Sequence, residues 1–305
     1  MEQEYIIARK TQLHFYKKVP LYINSKGVNF VIYKPSGMTL NDMRIEEGLF
    51  PEKLYIKQTD KIKGLQEAQK VFNQQLKKNI SDNNPKKVKE TIVNIMQETL
   101  TEPRSGSLEA VSETVDILVT EYTSESDVIK NLLDVSTKDY TTVLHSVNVM
   151  ALVLGYAGYA NYSLDQKKIL GLSALLHDVG KTKINTELLT APRKLTDEEF
   201  VEIQRHTIMG HNILKNCKFR NKEIKLAALQ HHEKLDGSGY PNRLTQISEV
   251  AQVIGFIDCY EALTNDDRPY RSSMDPLKAL NLIKNDVEAG KFKRNVFEKF
   301  AYSLL

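Results

Sequence analysis

The period of apolar and polar positions changes about sixty residues into the chain. Up to that point EYIIA, VPLYI, NFVIY and KLYIKQ are short runs rich in Ile, Val, Tyr and Phe. They are separated by Asn24-Ser25-Lys26-Gly27, by Pro35-Ser36-Gly37 and by a helical-looking stretch at 42–47. Runs of β-branched and aromatic residues bounded by turn formers predict strands. The Asn-Ser-Lys-Gly segment predicts a hairpin turn between two of them. Residues 1–61 are therefore expected to form a small strand-containing (α+β) module.

From Ile62 the spacing becomes helical. Leu65, Ala68, Phe72, Leu76 and Ile80 recur at three and four residues and form one stripe of a long helix. Residues 81–84 break it, and Pro85 suits the first turn of the next helix. Val88, Ile92, Ile95 and Leu100 carry a second stripe, and Leu108, Val111, Val115, Leu118 and Tyr122 a third. Residues 62–107 read as a helical connector. A helix with an apolar stripe needs a partner, so these segments are expected to join the module to the following domain and to offer a homodimer contact. Beyond them the pattern predicts helices at 126–134, 139–160, 165–177, 196–215, 220–231, 248–265, 276–289 and 293–304. Thr196-Asp197-Glu198-Glu199 is a capping box, and Asp275-Pro276 is a cap followed by a first-turn proline. The chain is thus expected to be mainly α, with an all-helical domain over 108–305.

Composition narrows the class. With 41% apolar and 27% charged residues over 305 positions, the chain is neither disordered, collagen-like nor a disulfide scaffold. The longest apolar run, 149–160, falls short of the about 20 residues a membrane span needs and reads as a core helix. MEQEYIIARK shows no secretory leader pattern. Cys217 and Cys259 lack metal-type spacing and read as buried thiols of a reduced compartment, so a cytoplasmic location is expected. The net charge of +3 conceals a local +5 at 61–90, from eight lysines against three acids. Without interleaved arginines or aromatics this is a solvated helix face, and neither a nucleic acid polymer nor a membrane is expected as partner.

The chemistry lies among the seven histidines. His145 stands in VLHSVNV, His177 and Asp178 in ALLHDVGK, His206 in QRHTIMG, and His231 and His232 in LQHHEKLDGSGYP. Asp258 interrupts the apolar helix VIGFIDCYEAL. Singly, each is an ordinary core or surface residue. Together, five imidazoles and two carboxylates cannot be buried cheaply without partners. Divalent ions are the natural common partner, and imidazole with carboxylate suits iron, manganese or zinc. The absence of cysteine pairs argues against a structural zinc. Seven ligands exceed the set of one ion with an open position and fit two, with an aspartate between them. His211, five residues after His206, lies about 140° round the helix and is expected to face elsewhere. His14 lies outside the domain, and for Glu233 an orienting or structural role stands beside a catalytic one.

In order along the chain, HS, HDxGK, H, HHExxDGSGYP, D and RPYR span about 130 residues. This series resembles the HD-GYP family of cyclic di-GMP phosphodiesterases, within the HD superfamily of metal-dependent phosphohydrolases. The resemblance covers roughly residues 126–305. It implies an all-helical domain that hydrolyses cyclic di-GMP to pGpG or GMP by a metal-bridging hydroxide. It further implies that His145, His177, Asp178, His206, His231, His232 and Asp258 are the metal ligands, with Asp178 bridging. Lys181 would sit beside the metals and the scissile phosphate, Gly239, Tyr240 and Pro241 would line the pocket, and Arg268 and Arg271 would hold substrate phosphates. Asp178 and Lys181 are the expected catalytic residues. Some family members carry a glutamate for a third metal where this chain has Thr141, so two divalent ions, iron or manganese, are expected. The stretch 241–258 is about two residues short and lacks the family's usual glycine, and ALTNDDRPYR is one residue long. Both departures fall beside the pocket. They support a competing expectation of a weakly active, metal-bound cyclic-dinucleotide sensor or scaffold. It would signal to a protein partner through the GYP loop or the N-terminal module. VPLYINSKGVNFVIYKPSG…LYIK itself resembles, less closely, a small regulatory module found before such domains.

Overall fold

The structure, a computed structural model, describes residues 4–25, 29–40, 51–122, 142–265 and 273–304. The helical stretches expected at 42–47 and 126–134, Thr141 and the RPYR motif at 268–271 lie outside them. The chain divides into two compact units, Met1–Gln75 and Leu76–Leu305.

In the first unit β1 (Tyr5–Ile7), β2 (Leu21–Ser25), β3 (Asn29–Lys34) and β4 (Tyr55–Lys57) form one antiparallel sheet in the order β1-β4-β2-β3. The hairpin strands β2 and β3 register Ser25 against Asn29. β4 enters between β1 and β2, pairing Ile56 with Ile6 and Tyr55 with Tyr22. Ile6, Ile23 and Ile56 cover a core of Leu13, Tyr16, Val19, Leu40 and Leu54. Lys34 is fully buried, and its ammonium donates to the carbonyls of Val19, Pro35 and Met38. Three acceptors match its three N–H donors, which offsets the desolvation of the charge.

The helix α1 (Lys61–Ser81) starts in the first unit and ends in the second. The second unit continues with α2 (Pro85–Leu100) and α3 (Val111–Ile117), which closes in a wide π-type turn at Leu118–Tyr122. α4 (Thr142–Tyr159), α5 (Leu164–Leu176), a 3-10 turn (Val179–Lys183) and the short α6 (Thr186–Leu189) follow. The unit is completed by α7 (Asp197–Gln204), α8 (His206–Lys215), α9 (Glu223–Gln230), α10 (Glu249–Thr264), α11 (Pro276–Glu288) and α12 (Arg294–Ser303).

Local chemistry sets these boundaries. Ser163 and Thr196 cap α5 and α7 with reciprocal capping boxes, and Asn84 and Asp275 cap helices that open on proline. Tertiary packing overrides one boundary. The single segment expected at 196–215 is two helices meeting at Arg205, whose N–H reaches back only three residues to Glu202 O. That tighter turn changes the helix phase just before His206.

α4 is the centre of the unit and packs against α2, α5, α10 and α12. Its side chains are buried on every face, from Val143 and Leu144 to Tyr156 and Ala157. Among the described residues it is the one helix long and apolar enough to cross a membrane, yet 72% of it is buried inside the protein. An all-round apolar helix covered on all sides by other helices is the core helix that the sequence predicts.

Candidate metal centre

The seven candidate residues reach the centre from five helices. His145 projects from the first turn of α4. His177 ends α5, and Asp178 follows in the bridge region at φ −98°, ψ 9°, where the helix tightens into the 3-10 turn. His206 opens α8, His231 closes α9 with His232 next to it, and Asp258 lies midway along α10.

Two glycines let these backbones approach. A Cβ on Gly180 would fall 1.9 Å from His206 O, and one on Gly255 would fall 1.9 Å from His231 O. The glycine of HDxGK therefore has a steric reason: it brings the turn after Asp178 against the start of α8.

The ligand atoms form two clusters. Those of His206, His231 and His232 lie within 4.8 Å of one another, as do those of His145, His177 and Asp178. Asp178 connects the two. Its Oδ1 is 3.3 Å from His206 Nε2 and 3.8 Å from His231 Nε2, while Oδ2 is 3.4 Å from His177 Nε2 and 3.6 Å from His145 Nε2. Asp258 spans them again, with Oδ1 2.9 Å from His145 Nε2 and Oδ2 3.9 Å from His232 Nδ1.

The rings are oriented from behind. His177, His206 and His231 donate from Nδ1 to the carbonyls of Ala174, Ile203 and Ala227 at 2.7, 2.6 and 2.9 Å. His145 Nδ1 donates to Glu261 Oε2 at 2.6 Å. A carbonyl or carboxylate only accepts, so Nδ1 carries the proton and, in the neutral ring, the Nε2 lone pair turns to the centre.

Electrostatics agree with this orientation. Burial pushes His206 down to about 4 and His231 to about 3, and holds His232 well below the ordinary histidine value. These rings stay neutral at neutral pH, the state a metal ligand requires. Burial also opposes the charge on His145, but Glu261 and Asp258 outweigh it and raise that ring to about 9. Burial works against the Asp178 and Asp258 carboxylates too. Lys181 and His177 hold Asp178 well below the carboxylate range, and His145 does the same for Asp258.

Two buried atoms show that the cluster is incomplete in itself. Among the described residues, His177 Nε2 and Asp178 Oδ1 make no hydrogen bond. Orphaned buried ligand atoms facing a cluster of imidazoles and carboxylates fit divalent cations, which need lone pairs and not protons.

Beside the cluster, Lys181 Nζ is 2.5 Å from Asp178 Oδ2 and partly open to solvent. The Tyr240 ring stacks on His232, with centroids 4.6 Å apart, and meets Phe200 edge-on. Gly239 is buried and Pro241 half-buried beside it. Glu233 fastens this loop by accepting from Asn242 N and Leu244 N at 2.7 and 2.9 Å, the orienting role its position suggests. His211 turns away and donates to Lys225 O. Arg268 and Arg271 lie outside the described residues.

Sequence reasoning missed Glu261. The signal was present, since Glu261 follows Asp258 by three residues and so shares its helix face. Nothing local distinguishes it from an exposed helix acid.

The HD domain model matches residues 126–296, more than half of the chain. The chain belongs to the HD domain family. The HD-GYP resemblance of its motifs holds as well. The chain is 33% identical over 191 residues to the cyclic di-GMP phosphodiesterase PA4108 of Pseudomonas aeruginosa, a match covering 62% of this chain and 45% of that protein. It is 34% identical over 182 residues to 3'3'-cGAMP-specific phosphodiesterase 1 of Vibrio cholerae, covering 59% of this chain and 41% of that one. The matches thus span less than half the length of these relatives. Among solved structures, Bd1817, an HDG"Y"P protein from Bdellovibrio bacteriovorus, aligns with a TM-score of 0.66 at 17% identity, over 98% of this HD-domain chain and 99% of that one. This last likeness is one of fold.

Proposed function

We propose that this HD-domain protein is a metal-dependent phosphodiesterase that hydrolyses cyclic di-GMP to pGpG, with further cleavage to GMP open to it. The observation that carries the reading is the pair of ligand clusters joined twice, by Asp178 and by Asp258, with buried ligand atoms that make no hydrogen bond among the described residues. The names of the relatives in Pseudomonas aeruginosa and Vibrio cholerae support a cyclic dinucleotide as the substrate class.

Two divalent ions, iron or manganese, fit the seven side chains. His145, His177, Asp178 and Asp258 would hold one, and His206, His231 and His232 with the shared Asp178 the other. Such ions, when bound, supply a nucleophile at neutral pH and Lewis acidity at the phosphoryl oxygens. The protein's own contribution is orientation and charge. Lys181 presents a partly exposed ammonium beside the centre and would neutralise charge that grows on the phosphate in the transition state. Tyr240, Gly239 and Pro241 form the adjoining wall, and Arg268 and Arg271 are proposed to clamp phosphates. A reduced, cytoplasmic setting accords with the two free cysteines.

The test is turnover. Anaerobically purified protein loaded with Fe²⁺ or Mn²⁺ should cleave cyclic di-GMP, with linear products resolved by chromatography, and a chelator should abolish the reaction. A preference for cyclic GMP–AMP would retain the chemistry and change the substrate. Cleavage of neither by metal-loaded protein would overturn the proposal.

A further inference from the structure

The two halves of the centre differ in what stands behind their ligands. His177, His206 and His231 are backed by neutral backbone carbonyls. His145 is backed by a carboxylate, Glu261 Oε2 at 2.6 Å, itself buried with 3% of its surface exposed. The second oxygen of that carboxylate is occupied as well. Glu261 Oε1 accepts from Asn148 Nδ2 at 3.0 Å and from Asn265 Nδ2 at 2.5 Å. Held at both oxygens, the carboxylate has little freedom to rotate. His145 and Asn148 lie one turn apart on α4, while Glu261 lies in the last turn of α10 and Asn265 caps that helix. One acid therefore fixes the ring and ties the two helices that carry His145 and Asp258.

We infer that Glu261 is a positioning residue that makes the His145 half of the centre the stronger ion site, so that two ions load in sequence, that half first. A carboxylate behind a ligating imidazole raises its basicity and fixes its direction more firmly than a carbonyl does. The carboxylates in front reinforce the asymmetry. His145 Nε2 faces Asp258 Oδ1 at 2.9 Å and Asp178 Oδ2 at 3.6 Å, whereas the three-histidine half meets its nearest carboxylate oxygens at 3.3, 3.8 and 3.9 Å. The side with more and nearer negative charge attracts a dication more strongly. This inference rests on the two-ion reading of the centre.

Calorimetric titration of the metal-stripped full chain with Mn²⁺ tests it without reference to turnover. The unaltered protein should show two separable binding events. Glu261→Gln preserves size and removes the charge, and should weaken the tighter event about 10–100-fold while leaving the weaker one in place. Glu261→Asp retains the charge and should recover part of the loss, and Asn148→Ala, which frees one oxygen of the clamp, should weaken the same event by less. His206→Ala should abolish the weaker event and spare the tighter. Superimposable titrations for the unaltered protein and Glu261→Gln would overturn the inference, as would equal weakening of both events or loss of the tighter event in His206→Ala. If Glu261→Gln fails to fold, an unchanged tight event in both Glu261→Asp and Asn148→Ala overturns it equally. Absence of any Mn²⁺ binding by the unaltered protein would sink the two-ion reading itself, an outcome distinct from the others.

Discussion

Lys181 Nζ stands 2.5 Å from Asp178 Oδ2, on the side of that carboxylate that faces His145 and His177. The duties proposed for the two residues differ, and substitutions should separate them. Asp178→Asn removes the charge shared by both halves of the centre, so elemental analysis should find the bound metal reduced in both. Lys181→Ala removes no ligand. Its metal content should hold while turnover of cyclic di-GMP falls about 10²-fold, the scale of losing one donor to a developing oxyanion. In metal-free protein the same variant should lower the melting temperature, because Asp178 then loses its nearest cation in a buried site. Equal metal loss in the two variants would remove the phosphate role from Lys181.

The glycines give a contrast of opposite sign. A Cβ at Gly255 meets His231 O at 1.9 Å, a backbone atom that cannot rotate away. Gly255→Ala should therefore push α10 from α9, destabilise the fold by about 1–3 kcal/mol or more, and reduce metal content as His231 shifts. At Gly158 on α4 an added Cβ meets nothing within 4 Å among the described residues. Gly158→Ala should stabilise by up to about 1 kcal/mol through helix propensity alone. Thermal melts of the two variants with and without Mn²⁺ check both signs. A Gly255→Ala protein with an unchanged melt would show that α10 and α9 are not held in the contact described.

The helices and the seven candidate ligands were legible because their signals are local: a 3.6-residue period, caps and prolines, and imidazoles inside apolar runs. What was not legible depends on distant partners. Glu261 becomes an orienting acid only because His145, 116 residues earlier, packs against it. The glycine at 255 looks like an ordinary helix weakness until His231 O is placed over it. The break at Arg205 lies inside a run whose apolar period continues undisturbed, and the packing of His206 against the turn after Asp178 decides it. The sheet order places β4 between β1 and β2, and strand propensity carries no information about which strands become neighbours.

Metal-free protein should be most stable near pH 6.5. His206 and His231 have folded values of about 4 and 3, below the ordinary 6.5 of an unfolded histidine. As pH falls below 6.5 the unfolded chain takes up protons that the folded chain refuses, so stability falls toward acid. Asp178 and Asp258, held well below the carboxylate value, extend that loss below about pH 4. His145 acts in the other direction. Its folded value of about 9 lies above 6.5, so its contribution is complete below 6.5 and is lost as pH rises through 9. Each histidine changes stability by at most about 1.4 kcal/mol per pH unit within its window. Denaturation of chelator-treated protein from pH 4 to pH 9 should trace this dome. A rise in stability between pH 6.5 and pH 9 would contradict the charge assigned to His145.

Arg243 occupies the left-handed region at φ 55°, inside the loop that carries Tyr240 against His232. A side chain there costs about 1–2 kcal/mol. Glu233 holds the strained residue from both sides by accepting from the N–H groups of Asn242 and Leu244. Arg243→Gly removes the strain and adds about 0.5–1 kcal/mol of lost glycine entropy, so a net gain of up to about 1.5 kcal/mol is expected. Glu233→Ala should be destabilising, since it leaves two loop donors without their carboxylate and lets the loop relax away from His232. The two substitutions should also be coupled. In the R243G background the loop no longer has to be held in a strained shape, so Glu233→Ala should cost less there than in the native chain. Urea denaturation of the four proteins of this cycle measures the difference. An additive cycle would show that Glu233 anchors the loop without bearing the strain at Arg243. A less stable R243G protein would mean that the arginine side chain contributes more than its backbone conformation costs.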